Sequence, residues 1–83
     1  MRKAIIEEYK DYPGLLFMDG LDDAIIGVAN LYDNPTVVYS SQKVLENLVA
    51  RGMGFYEAKE FMSFNIMDAY LGKFTPIIID DLF

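Results

Sequence analysis

This sequence predicts an α+β domain: a small antiparallel sheet, a helical hairpin and a short N-terminal helix. Three observations lead there. Residues 21–29 and 36–40 are rich in β-branched side chains and bounded by turn residues, as strands are. Residues 41–51 and 55–71 place apolar side chains at helical spacing, with only a glycine-rich link between them. Thr75-Pro76 then opens a last apolar run, Ile77-Ile78-Ile79.

The elements follow in order. Arg2 to Tyr12 reads as a helix, with Ile5, Ile6 and Tyr9 on one stripe and Pro13-Gly14 as its stop. Leu15–Met18 is expected as a short strand (15–18). Asp19-Gly20 is a favoured hairpin pair, so Leu21–Ala29 (21–29) is expected as the return strand. A helical stripe of Leu21, Ile25, Val28, Ala29 and Tyr32, with Asp22 as N-cap, competes for that segment. Strand is preferred because Ile25, Ile26 and Val28 are β-branched and Gly27 weakens a helix by about 1 kcal/mol. Gly27 also fits a bulge or a close backbone approach. Asn30–Pro35 reads as a turn-rich loop, and Thr36–Ser40 (36–40) as a strand.

Ser40 or Ser41 is expected to cap the next helix, 41–51. Val44, Leu45, Leu48 and Val49 form its stripe, and Arg51-Gly52 closes it. The helix 55–71 ends at Gly72. Three consecutive isoleucines in the last strand, 76–80, predict burial on both faces and hence a central position. Nothing marks a linker or a repeat, so residues 1–83 are expected to form one domain.

The helix 55–71 is apolar on two sides. Phe55, Ala58, Met62, Ile66 and Ala69 gather on one. Phe64, Met67 and Leu71 gather on the other, at spacing i, i+3, i+7. A helix apolar on two sides must bury both. The plain account places it between the sheet and the other helices. The preferred account has Phe64, Met67 and Leu71 meet another subunit or a target, with a homo-oligomer the expected form.

Composition narrows the chemistry. The chain has 83 residues, 53% of them hydrophobic, and contains neither histidine nor cysteine. A chain of this size buries only about 60–65% of its unfolded surface. Imidazole relays, thiolate nucleophiles and zinc–thiolate sites are excluded. Net charge is −6, from thirteen acids and seven bases. Nucleic acid requires a basic footprint, so it is not an expected partner. The Met1–Ile6 start resembles a signal peptide until Glu7 and Glu8 interrupt it, and no apolar run has the length of a membrane span. A cytoplasmic protein with no membrane contact is expected.

The densest functional signal is Asp19-Gly20-Leu21-Asp22-Asp23, with three carboxylates in five residues. Hard cations favour such oxygens, but the spacing is not that of an EF-hand loop. Asp-Gly is ordinary turn chemistry, so no metal site, no cofactor and no catalytic residue is expected. The acids are instead expected to contact a partner protein with a basic patch. Asp19, Asp22 and Asp23 form that candidate surface, with Tyr32 and Asp33 nearby if the strands form a meander.

The chain resembles a type of small, uncharacterised protein encoded by bacteriophages and prophages. The matching segments are Asp19-Gly20-Leu21-Asp22-Asp23-Ala24-Ile25-Ile26-Gly27-Val28, Val37-Val38-Tyr39-Ser40 and Glu57-Ala58-Lys59-Glu60-Phe61. Asn65-Ile66, Ala69-Tyr70-Leu71-Gly72 and Thr75-Pro76-Ile77 complete the match. No segment is a catalytic motif, so the resemblance carries no site residue. It implies a phage accessory protein, and by analogy a host-directed inhibitor or anti-defence factor acting by protein contact. The alternative is a binder of a nucleotide or metal between subunits near Asp19–Asp23. A metal-dependent hydrolase ranks third.

Overall fold

A computed structural model describes residues 1–31, 33–65 and 72–82. It shows an α+β fold with three helices and a three-stranded mixed sheet. The elements are α1 (Arg2–Glu8), β1 (Ile25–Leu31), β2 (Asn34–Ser40), α2 (Ser41–Ala50), α3 (Phe55–Asn65) and β3 (Ile77–Ile79). A turn of 3-10 helix, Asp22–Ala24, leads into β1.

The helix α1 is shorter than the predicted 2–12. Tyr9 leaves the helix at φ −110°, ψ 35°. Pro13 disfavours helical geometry at Tyr12, and the segment turns through Tyr12 N–H to Tyr9 O and Leu15 N–H to Tyr12 O. Ile5 is buried, whereas Ile6 stays half exposed.

The expected strand at 15–18 does not form. Leu15, Phe17 and Met18 lie against the core as an irregular stretch. The Met18 N–H, which a ladder would have used, donates to the Tyr39 hydroxyl at 2.8 Å. Asp19-Gly20 does make a turn, but not a hairpin. A type I′ turn needs positive φ at both central residues. Only Gly20 has it, at φ +80°, and the Leu21 N–H reaches Met18 O. Glycine alone in the third place is the type II pattern. The chain therefore runs on into the 3-10 turn, which replaces the first residues of the predicted 21–29 strand.

The hairpin lies further on. β1 and β2 pair antiparallel from Leu31↔Asn34 back to Ile25↔Tyr39. The expected Asn30–Pro35 loop thus shrinks to two residues. Asp33, its second residue, has φ +67°, the left-handed conformation that aspartate tolerates better than most. The register shifts between Ile25 and Gly27, so Gly27 does sit at a bulge.

β2 is the central strand, with order β1-β2-β3. Residues Pro35 to Ser41 are all buried. β3 lies at the edge instead of the centre, and pairs with β2 in parallel, Val38↔Ile77 to Ser40↔Ile79. The sheet is therefore mixed, not antiparallel. The α2–α3 pair supplies the long crossover that a parallel neighbour requires. Ile77 and Ile78 are only half buried and Ile79 is exposed.

One face of the sheet carries the core. Val37 and Tyr39 meet Ile5, Leu21, Ala24 and Ile25, and the helices add Val44, Leu45, Leu48, Ala58 and Met62. The α2 stripe holds except at Val49, which is 40% exposed. On α3, Ala58 and Met62 are buried as expected, but Phe55 is exposed. The expected helix end at Leu71, together with Met67 and the Phe64 side chain, lies outside the described residues.

Candidate functional site

Three places concentrate side-chain chemistry. The first is the acidic turn. Arg2 sits over the Phe17 ring at 4.6 Å and bonds Asp22 Oδ1 at 3.1 Å, with Asp19 Oδ1 at 3.6 Å. From the other side, Arg51 at the end of α2 donates to the Gly20 carbonyl. Asn47 Nδ2 donates to Asp23 Oδ1 at 2.8 Å and to Gly20 O at 3.3 Å. In the sequence Arg51 reads only as part of the close of the helix 41–51. Its guanidinium instead clamps a carbonyl 31 residues away, a pairing that no local pattern signals.

Asp22 and Asp23 are thus tied to the fold, while the Asp19 side chain remains 97% exposed. Among the described residues, no group of three or more acidic side chains is arranged to hold a metal ion. Asp33 is not beside these acids. It follows β1 while Asp22 and Asp23 precede it, and the seven residues of β1 lie between. At about 3.3 Å per residue the separation is on the order of 20 Å. The meander that would have gathered them is absent, because 15–18 is no strand. Tyr32 lies outside the described residues.

The second place was not foreseen. Asp81 closes onto the N-terminus of α2. Ser40 Oγ donates to Asp81 Oδ2 at 2.5 Å, and Ser41 Oγ donates to Oδ1 at 2.9 Å. The Gln42 N–H donates to Oδ1 at 2.8 Å, and the Asp81 N–H returns a bond to Ser41 Oγ at 3.0 Å. Ser40 is also the N-cap of α2, accepting from the Lys43 N–H at 3.2 Å. The Ser40 hydroxyl, then the Gln42 amide and the Ser41 hydroxyl, hold the Asp81 carboxyl at about 2, below its ordinary 3.8. The helix N-terminus favours the same anion. The expected cap was visible in Ser40-Ser41. Its partner, some forty residues away, had no sequence signal beyond Asp80-Asp81 ending a strand.

Serine next to aspartate invites a catalytic reading, and the chemistry argues against it. A general base works best with a pKa near the operating pH, and Asp81 is far below it. Both hydroxyls are buried and bonded into the latch. The arrangement fastens the C-terminal strand to α2.

The third place is apolar surface. Tyr56 is 81% exposed and Phe55 53%, at the start of α3. Their rings meet edge to face at 5.4 Å, and Lys59 Nζ lies 5.6 Å from the Phe55 centroid. Beside them is an open cleft of about 340 Å³, lined by Gln42, Leu45, Glu46, Phe55 and Leu82. A second open cleft of about 360 Å³ lies among Ile6, Tyr9, Tyr12, Leu15 and Phe17. Burial raises the Tyr39 phenol above 10.0, opposed by the Met18 N–H that it accepts. No described helix is long and apolar enough to cross a membrane.

Comparison with protein-family models, with curated proteins and with solved structures finds no match.

Proposed function

We propose that this chain is a non-enzymatic accessory protein that acts by contact with another protein, of the kind phages direct at a host. The observation that carries this reading is the exposed Phe55–Tyr56 pair beside its cleft. Tyrosine and phenylalanine are costly to leave in water and common at interface centres. The polar groups support it from the other side. Arg2, Arg51 and Asn47 are spent on the acidic turn, and Ser40 and Ser41 on Asp81. A nucleotide or metal site at Asp19–Asp23 would have to compete with those bonds.

The test is capture from a bacterial host extract with wild type and Tyr56→Ala. Tyr56 is too exposed for its loss to weaken the fold. The expected result is a discrete protein retained by wild type and reduced about tenfold or more by Tyr56→Ala, as for an interface anchor. Equal retention by both proteins would remove the aromatic pair from the contact.

A further inference from the structure

The fold treats the two edges of its sheet differently. On one side of β2, β3 covers Val38–Ser40, and its tail is fastened by Asp81. On the other side, β1 is the open edge among the described residues. With a two-residue loop, Leu31 and Asn34 form a hydrogen-bonded pair, and the pairs then alternate. Asn30–Pro35 is a pair that needs no bond between its members, which is why proline fits inside this strand. By the same alternation, the N–H and C=O of Val28 and Asn30 turn away from β2. Among the described residues, nothing bonds to them.

Natural edge strands are usually blunted by lysine, proline or an inward charge. β1, Ile25-Ile26-Gly27-Val28-Ala29-Asn30-Leu31, has neither proline nor any charged residue. Among the described residues its protection is the bulge at Ile25/Gly27, which leaves Gly27 to Leu31 in regular register. On the face away from the core, a Cβ added at Gly27 would meet no described residue within 4 Å. Ala29 shares that face, and Ile26 beside it is 39% exposed. The space at Gly27 admits a side chain from an added strand, although Thr36 and Val38 across from this face are buried.

Charge decides what kind of strand that is. Both ends of the uncharged edge are acidic in balance: before β1, Asp19, Asp22 and Asp23 outnumber Arg2 and Arg51 beside them, and Asp33 follows it. A second copy pairing antiparallel would bring Asp33 of one chain toward Asp22 and Asp23 of the other. Two-fold symmetry would repeat that repulsion. A strand with basic ends meets opposite charge at each end. We infer that the free edge of β1 receives an extended segment of another protein by strand addition, alternating and uncharged at its centre and basic at both ends. The inference rests on the protein-contact reading and assigns that contact a second surface and a chemistry.

The test uses the full chain, isotopically labelled, and two synthetic peptides. Both have an alternating threonine–valine centre. One carries lysines at its ends and the other glutamates. The lysine-ended peptide is expected to bind saturably and to slow hydrogen exchange at the Val28 and Asn30 amides by about tenfold or more. The glutamate-ended peptide is expected to bind about tenfold more weakly. Asn30→Pro removes an outward donor without touching the β1–β2 ladder, and should abolish binding. Asp33→Asn keeps a residue that tolerates positive φ, and should weaken the lysine-ended peptide about threefold. It decides the matter even if Asn30→Pro does not fold. Failure to bind, unchanged exchange at Val28 and Asn30, equal binding of both peptides, or protection of these amides by self-association would each overturn the inference. If the peptides fail while Tyr56→Ala still loses the host protein, strand addition falls and the contact reading stands.

Discussion

Gly20 shows how much of this fold rests on single residues. Its φ of +80° belongs to glycine, and an added Cβ would stand 2.7 Å from Arg51 Nη2. The same carbonyl receives both Arg51 and Asn47. A residue forced into left-handed geometry costs about 1–2 kcal/mol, and the exposed Arg51 guanidinium can swing aside. Gly20→Ala is therefore expected to lower unfolding stability by about 2 kcal/mol in a denaturant titration. Gly27→Ala is the control. Its φ is not positive and its Cβ would meet no described residue, so stability should hold or rise by about 0.5 kcal/mol. Equal losses at the two positions would show that the clamp on Gly20 is unimportant.

At the scale of elements, local chemistry in the sequence located most pieces and misjudged some of their relations. The Ser40 cap, the α2 stripe and the β-branched run of β2 are all readable, because each depends on residues within a few positions. Asp19-Gly20 misled because Asp-Gly serves more than one turn type, and the choice depended on the Tyr39 hydroxyl taking the Met18 N–H. The true hairpin at Asp33 was hidden, since Asn30 and Asn34-Pro35 look like loop yet belong to strands. The isoleucines of β3 appeared central because an apolar run cannot reveal which neighbours it has. What places β3 is the Asp81 latch on α2. The sign of its pH effect follows from its lowered pKa. A carboxyl at about 2 when folded and near 3.8 when unfolded stabilises fully above about pH 4 and loses that contribution as pH falls toward 2. Asp81→Asn is expected to lower the unfolding midpoint at neutral pH and to flatten the decline between about pH 4 and 2. An acid limb as steep as that of wild type would mean that another carboxylate controls it.

Over the whole molecule, the distribution of charge matters more than its total. Of seven cations, Arg2 and Arg51 serve the acidic turn, and Lys59 and Lys73 lie against Phe55 and Phe74. Asp22, Asp23 and Asp81 are likewise engaged within the chain, and the net charge of −6 leaves acids in excess. On the proposed reading this excess attracts a basic partner, and the attraction should weaken with salt. The fold contributes rigidity through its latches, and the surfaces proposed for contact are the aromatic start of α3 and the edge of β1. The central claim is that this protein works by binding another protein and not by chemistry on a small ligand. Native mass spectrometry of the protein recovered from host extract tests that claim most directly. The account predicts a defined complex with a host protein, of simple stoichiometry, that dissociates as salt is raised. Recovery with a retained metal ion or nucleotide, and with no protein partner at any salt concentration, would contradict it.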